Sequence, residues 1–197
     1  DTALLEMIDG HIGNLARALR TNNSERAAFE AAWMAHAITD GLTPAHHFPL
    51  EQAMAELRGG EGLETRTSIL KKNLMKGDNG IELIKNNWKF WGAKGMMTTH
   101  VAFEAGVASV VSYPRFKDAT PSGDEISQVR NHGYREYYLD QVHAVASMKM
   151  YDNFIKSGWT TDLAWQTNHE LMPIIIKSVM LGWLASAWKL EAEKSES

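Results

Sequence analysis

The amino-acid sequence predicts an all-α fold, a compact helical bundle formed by a single domain over residues 1–197. Two observations lead to this prediction. Apolar residues recur every three or four positions through most of the chain, which is the spacing of one face of an α-helix. Long alternating runs, which would predict half-buried strands, are nearly missing. With 197 residues and a hydrophobic content of 44%, the chain is long enough to bury one substantial core.

The first two helices are predicted to form a hairpin around Asn22. Ser24 is a suitable N-cap for the second helix, because its hydroxyl can accept a hydrogen bond from a free backbone N–H of the first turn. We expect this helix to run to Asp40, where Gly41 and Pro44 end it. The first helix carries one apolar stripe, which consists of Leu4, Leu5, Ile8, Ile12, Leu15 and Leu19.

Shorter helices are predicted in the middle of the chain, over residues 49–58 and 62–76. The segment "LKKNLMK" within the second of these is predicted to be a solvated face, with contact to a membrane surface as the alternative. Gly77 is a suitable C-cap. A long helix is then expected over 78–112, before a proline.

The C-terminal part is predicted to hold two further helices. The motif "SGDE" at Ser122–Glu125 has the spacing of a capping box, and the helix that it opens is expected to reach Lys156, before Gly158. Thr160 is the predicted cap of the last helix. This helix contains Pro173 and is expected to be kinked there.

The composition excludes several classes of protein. The net charge of −4 provides no bulk attraction for nucleic acid. The absence of cysteine excludes disulfides, thiolate zinc ligands and cysteine nucleophiles. No run of about 18 or more apolar residues is present in the sequence, so no transmembrane segment is expected.

The segment "HAITDGLTPAHH", residues 36–47, has the composition of a metal site at a helix end. His36 and Asp40 are four residues apart, so in a helix their Cβ atoms would lie about 6 Å apart on one face. His46 follows a turn that contains Pro44, and its side chain can fold back over the end of the helix. Imidazole and carboxylate groups are ordinary zinc ligands.

A second pair at the same spacing, His100 and Glu104, lies in the apolar stretch "THVAFEAGV". Unpaired charge is costly in such surroundings, so the pair needs a partner. Together with His46 it would provide three metal ligands and leave one coordination position open for water. The alternative is that each pair is only a hydrogen bond between neighbours on a helix.

His11 is a further candidate ligand because of its position in the predicted hairpin. It precedes Asn22 by eleven residues, and His36 follows Asn22 by fourteen. At about 1.5 Å per residue, the two histidines would lie within roughly one helical turn of each other along the helix axes. The alternative is that His11 is a hydrogen-bonded histidine of the core.

These residues resemble the signature of the zinc-dependent phospholipase C family, whose fold is shared by the S1/P1 nucleases. The signature reads H-x-x-[G/T]-D-x-x-x-P-x-H, and this sequence matches it at His36, Thr39, Asp40, Pro44 and His46. The family also carries a downstream H-x-x-x-[E/D], which is matched by His100 and Glu104. The resemblance covers most of the chain and implies a helical bundle of the phospholipase C/P1 nuclease type.

The resemblance also implies a cofactor, which is zinc as one to three ions, or another divalent metal in its place. It places His36 and Asp40 on one ion, with Asp40 able to bridge to another. It places His46, His100 and Glu104 together on a second ion. Asp40 and Glu104 are then the candidate catalytic carboxylates. The implied substrate is a phosphate ester, either a phospholipid or a nucleic acid, and the implied location is secreted or extracytoplasmic.

The sequence departs from the family's pattern in three respects. The family uses an N-terminal tryptophan and further ligands upstream of the first motif, whereas only 35 residues precede His36 here. Ala37 stands where the family has tyrosine, and 53 residues separate His46 from His100, whose counterparts lie closer together in the family. The chain is therefore expected to be a divergent branch that lacks the N-terminal ligand segment.

Three functions are open at this point. The first is a metal-dependent hydrolase of phosphate esters, in which a bound metal activates water. The second is a non-catalytic helical module with a residual structural metal site. The third is a subunit for assembly or interaction, whose long helices pack against partners. The sequence makes no prediction of the oligomeric state.

Overall fold

A computed structural model of the chain describes residues 2–112, 116 and 119–195. Within these residues all regular secondary structure is helical, which confirms the predicted all-α class. Single 3-10 turns lie at Pro44–His47 and Leu63–Thr65, and a π-helical turn lies at Thr167–Leu171. The α-helices are, in chain order, α1 (Thr2–Arg20), α2 (Ser24–Gly41), α3 (Leu50–Leu57), α4 (Ile69–Asn73), α5 (Gly80–Trp91), α6 (Met96–Val111), α7 (Gly123–His132), α8 (Tyr134–Ser147), α9 (Met150–Ser157), α10 (Thr161–Gln166) and α11 (Met172–Ser195).

Helices α1 and α2 form the expected hairpin, and α11 packs against both. The turn between them holds Asn22 in the left-handed region, at a φ of 53°. The cap of α2 is Asn23, whose side chain accepts a hydrogen bond from the N–H of Arg26, so the predicted cap, Ser24, is instead the first helical residue. Leu19, near the end of α1, is exposed. The apolar stripe of α1 is buried at Leu5, Ile8, Ile12 and Leu15.

The prediction of one long helix over 78–112 is wrong, because the chain forms α5 and α6 with a tight turn between them. In this turn the N–H of Gly95 donates to the carbonyl oxygen of Gly92 at 2.7 Å. A Cβ atom at Gly95 would lie 2.5 Å from the carbonyl oxygen of Phe90, so the turn needs glycine there. The helix predicted over 62–76 is likewise reduced to the short helix α4.

The helix predicted over 122–156 is divided into α7, α8 and α9. Its predicted capping box is confirmed, since the Ser122 hydroxyl accepts from the N–H of Glu125 and the Glu125 carboxylate accepts from the N–H of Ser122. The breaks fall at Gly133 and Lys149, whose φ values of 92° and 51° do not continue a right-handed helix.

A π-helical turn at Thr167–Leu171 lies between α10 and α11. Helix α11 begins at Met172 and continues through Pro173, so the kink expected at this proline stays a prediction. The stretch Thr161–Glu191 is long and apolar enough to cross a membrane by length and composition alone, although the sequence pattern predicted no such segment. The core helix of a soluble protein passes the same test, so this finding is weak evidence. The absence of a transmembrane segment stays a prediction.

Most buried apolar residues in the described part of the chain belong to two clusters that meet at α6. The larger cluster joins the α1–α2 hairpin to the C-terminal helices and includes Phe103 of α6. Met96 and Met97, in the first turn of α6, pack instead against the smaller cluster. The smaller cluster consists of Met54, Met75 and Phe90. Helix α6 therefore packs against both clusters, and this packing fixes the positions of the side chains on α6.

Candidate metal centre

His46 is positioned by the turn that follows α2. Its N–H donates to the carbonyl oxygen of Thr43 at 2.9 Å, within the 3-10 turn that Pro44 begins. The side chain folds back over the end of α2, where Nδ1–H donates to the backbone carbonyl oxygen of Asp40 at 3.0 Å. Because a carbonyl oxygen only accepts, this bond places the proton of a neutral His46 on Nδ1 and leaves a lone pair on Nε2.

His100 and Glu104 lie one turn apart on α6, with Nε2 of His100 at 3.1 Å from Oε1 of Glu104. Phe103, between them in sequence, is fully buried and stacks on Trp159 with the ring centroids 5.7 Å apart. Gly106 permits this contact, because a Cβ atom at that position would overlap the indole of Trp159. The aromatic contact therefore fixes the rotation of α6 about its axis.

Three potential ligand atoms converge between the 3-10 turn and α6. Nε2 of His46 lies 3.2 Å from Oε1 of Glu104. The ligand atoms of His46, His100 and Glu104 all lie within 4.8 Å of one another. The two imidazole rings are stacked, with centroids 5.4 Å apart and planes 8° apart. The lone pair of a neutral His46 therefore faces a carboxylate oxygen, and this arrangement needs a cation between the two atoms, either a proton or a metal ion.

His100 is the most enclosed member of the group. Its side chain is 12% exposed, whereas that of Glu104 is 43% exposed. The Nδ1 atom of His100 is buried and has no hydrogen-bond partner within the described part of the chain. Burial lowers the pKa of His100 against the opposing effect of the Glu104 carboxylate. Lowering this pKa favours the neutral imidazole, which is the form that binds metal ions.

The three side chains fit a divalent transition-metal ion. Zinc binds imidazole nitrogen and carboxylate oxygen at about 2.0–2.2 Å in tetrahedral sites, so its ligand atoms lie roughly 3.4 Å apart. The two nitrogen–oxygen distances in this group, 3.1 and 3.2 Å, are close to that value. The hydrogen bond from Nδ1 of His46 to Asp40 is of the kind that orients metal-binding histidines. Three protein ligands would leave the fourth position open, as in catalytic zinc sites.

His36 and Asp40 form a separate pair beside this group. Nε2 of His36 is 3.3 Å from Oδ2 of Asp40, and Oδ1 of Asp40 is 3.8 Å from Nδ1 of His46. The Asp40 carboxylate therefore lies at the opposite edge of the His46 ring from Glu104. In the described residues no third histidine or acidic side chain joins His36 and Asp40 to form a second three-ligand group.

His11 lies away from this region and contacts Glu30. Nδ1 of His11 is 2.5 Å from Oε2 of Glu30, a fully buried carboxylate that also pairs with Arg26. Glu30 and His36 are six residues apart on α2, which corresponds to about 9 Å along the axis. The structure therefore does not bring His11 to His36, and the hydrogen-bonded histidine considered as the alternative fits the geometry. His11 belongs to an ion-pair cluster in the hairpin, in which Glu30 is buried and Arg26 is exposed.

A cleft of about 300 Å³ opens beside the three-ligand group. Asp40, His46 and Glu104 line its polar side. Its apolar side combines α6 with the end of the π-helical turn and the start of α11, through Val107, Val111, Leu171, Met172 and Ile175.

The sequence did not identify the apolar residues of this cleft, nor Tyr151, whose ring meets that of His100 edge-on at 6.3 Å. Burial raises the pKa of Tyr151, and the Glu104 carboxylate adds to the effect. No local pattern indicates these contacts, because they arise only when α9 and α11 pack beside α6.

Comparison of the chain with protein-family models, with curated proteins and with solved structures finds no match.

Proposed function

We propose that the chain is a hydrolase of phosphate esters that uses one zinc ion, or another divalent transition metal, held by His46, His100 and Glu104. The proposal depends on one observation, which is that three ligand atoms from two segments converge. His46 and Glu104, one from each segment, are 58 residues apart in the chain. The resemblance of the two motifs to those of zinc-dependent phospholipases C and S1/P1 nucleases supports the same class of reaction. A helical bundle of that type is part of the proposal.

The residues around the site have distinct roles in the proposed reaction. A divalent ion would supply Lewis-acid activation of water and of a phosphoryl oxygen. The Asp40 carboxylate lines the cleft and is 43% exposed, so it is placed to accept a proton from the attacking water. His36, at 3.3 Å from this carboxylate, is placed to share that proton.

The cleft favours a phosphate ester with an apolar part. The apolar wall lines the same cleft as His46 and Glu104. It can therefore hold the alkyl portion of a substrate while the phosphate contacts the three-ligand group. The net charge of −4 does not favour a long nucleic acid. We therefore propose a phospholipid-like ester ahead of a polynucleotide.

A second candidate function is a non-catalytic module in which the metal only stabilises the bundle. The exposure of His36 and the lack of a third ligand for the His36–Asp40 pair, within the described residues, favour this candidate over a multi-metal enzyme. The open coordination position at the other group favours the hydrolase, because structural zinc sites have four protein ligands.

The test combines metal analysis with assays on two substrates. Protein purified without chelator is analysed for transition metals and then assayed on bis(p-nitrophenyl) phosphate and on a short-chain phosphatidylcholine. We expect about one equivalent of metal, together with activity that is lost with chelator and restored by zinc. Less than about a tenth of an equivalent of any transition metal would overturn the metal site. Full metal occupancy without hydrolysis of either substrate would favour the structural module.

A further inference from the structure

An exposed apolar surface is formed by α4, by the residue that follows α4, and by α5. Its six side chains are each at least 52% exposed, and they are Ile69, Leu70, Leu74, Ile81, Ile84 and Trp88. We call this surface the α4–α5 face. Single exposed apolar residues are ordinary, but a group of six large ones on neighbouring elements is typical of an interaction surface.

Two hydrogen bonds hold α5 against the end of α4 and the residues that follow it. The indole N–H of Trp91 donates to the carbonyl oxygen of Asn73 at 2.7 Å, and the side chain of Asn87 donates to that of Met75 at 2.9 Å. The period of α5 places Trp88 about 160° around the helix from Phe90, which is buried in the smaller cluster. The inward face of α5 is therefore occupied by the fold, and its outward face is free for a partner.

The α4–α5 face is also the basic part of an acidic chain. Residues 69–94 carry six lysines and two acidic residues, Asp78 and Glu82, whereas the whole chain has a net charge of −4. The six lysines are all exposed, and they are Lys71, Lys72, Lys76, Lys85, Lys89 and Lys94. Lys76 is ion-paired with Glu61. Apolar side chains flanked in the sequence by the other five exposed lysines are the composition of a surface that binds at the interface of an anionic membrane.

A buried guanidinium lies beneath this face. Arg58 is only 6% exposed and lines a cavity of about 480 Å³ together with Leu70, Lys71 and Leu74. Its Nη2 donates to the carbonyl oxygen of Lys72, but its Nε has no hydrogen-bond partner within the described part of the chain. Glu61 also lines this cavity, where it pairs with Lys76 and offsets the charge of Arg58. The positive charge that the α4–α5 face presents to a partner therefore comes from its exposed lysines.

We propose that the α4–α5 face binds the surface of an anionic phospholipid bilayer, with its apolar side chains inserted among the lipids and its lysines at the headgroups. A second copy of this chain is a poorer partner, because a two-fold contact through this face would place its lysines against one another. The proposal does not depend on the metal site, since none of the residues of the face belongs to that site.

The test is cosedimentation of the full chain with vesicles of two compositions. One set contains phosphatidylcholine alone and the other contains phosphatidylcholine mixed with phosphatidylglycerol. We expect binding to the mixed vesicles, weak or no binding to phosphatidylcholine alone, and a loss of binding as salt is raised. Equal binding to both vesicles, or none to either at low salt, would overturn the proposal.

Two variants with matched controls locate the surface. Lys85→Gln combined with Lys89→Gln should weaken binding to the mixed vesicles about 30-fold, whereas Lys156→Gln combined with Lys189→Gln should not. Trp88→Ala should weaken binding about tenfold or more, whereas Trp165→Ala on α10, where the tryptophan is 55% exposed, should not.

The remaining outcomes identify other occupants. Equal losses from Trp88→Ala and Trp165→Ala would place the membrane contact on the apolar C-terminal helices and overturn the assignment to α4 and α5. A dimer in sedimentation that Trp88→Ala converts to a monomer would assign the face to a second copy instead. Melting temperatures of the variants, expected to match the parent because these side chains are exposed, show whether each variant is folded.

Discussion

Nε2 of His46 lies 3.2 Å from Oε1 of Glu104, although 58 residues separate the two in the chain. The same carboxylate oxygen is 3.1 Å from Nε2 of His100, so one oxygen connects the turn after α2 to α6. With protons alone, both nitrogens can donate to this oxygen only if His46 carries a proton on each ring nitrogen, because its Nδ1–H already donates to Asp40. A metal ion between the three atoms would instead bind them with both imidazoles neutral. This relationship underlies the proposed function and the first prediction.

Replacing His46 by alanine is expected to remove metal binding, while replacing its neighbour His47 is not. His47 directs its Nε2–H to the carbonyl oxygen of Gly41 at 2.9 Å and does not belong to the three-ligand group. Loss of the hydrogen-bond partner of a metal ligand lowers affinity or activity by roughly 10–100-fold, and loss of the ligand itself should lower it at least as much. Zinc titration of His46→Ala and His47→Ala measures both affinities. Equal affinities in the two variants would exclude His46 as a ligand.

Replacing Asp40 by alanine is expected to lower hydrolytic activity by about tenfold or more with little change in melting temperature, because the side chain is 43% exposed. The hydrogen bond that Nδ1–H of His46 donates to the backbone carbonyl oxygen of residue 40 survives the substitution. A shifted pH–rate profile would support proton transfer by Asp40. A loss of zinc in addition would identify the carboxylate as a ligand, as the family resemblance implies. Unchanged activity would remove Asp40 from the mechanism.

Replacing Glu30 by alanine is expected to destabilise the fold by about 1–3 kcal/mol without loss of metal. Its carboxylate is fully buried, and removing it leaves His11 without its acceptor, whereas Arg26 is 54% exposed and can be solvated by water. The exposed Glu25 on the same helix is a matched control, and Glu25→Ala should cost at most about 1 kcal/mol. Chemical denaturation and elemental analysis measure the two effects. Loss of metal from a folded Glu30→Ala variant would return His11 to the metal site.

Gly106→Ala and Gly10→Ala are expected to change stability in opposite directions. A Cβ atom at Gly106 would overlap the Trp159 indole, and such overpacking costs about 1–3 kcal/mol or more. A Cβ atom at Gly10, within α1, would meet nothing within 4 Å, so alanine there should stabilise the helix by about 0.5–1 kcal/mol. Melting temperatures compare the two. A stable Gly106→Ala variant would mean that α6 is not held by this contact.

Stability is expected to fall in acid partly through Glu125. Burial by itself would raise the pKa of Glu125, but hydrogen bonds from Ser122 and Lys177 outweigh this effect and lower the pKa below 4.5. The ionised carboxylate therefore contributes stability above that value, and the contribution is lost as the pH falls through the lowered pKa. Urea unfolding across this range should show a shallower pH dependence for Glu125→Gln than for the parent. Identical slopes would contradict the prediction.

The sequence by itself determined the helical class and the short-range pairs. The pairs His36–Asp40 and His100–Glu104 follow from a spacing of four residues on a helix, and both form in the structure. The capping box at Ser122–Glu125 is equally local. These features depend on interactions within one or two helical turns, and such interactions are visible in the order of the residues.

Only the tertiary structure decided which of these pairs meets a third ligand. His46 reaches Glu104 because α2 and α6 are both fixed against the core, and the glycine turn at 92–95 sets α6 apart from α5. The same packing places His11 against Glu30 rather than His36, which lies about 9 Å further along α2. Counting residues from the turn therefore does not determine which side chains meet across the interface, because their directions also matter. Contacts between distant segments depend on helix rotation and side-chain volume. The spacing of residues along the sequence does not determine either of them.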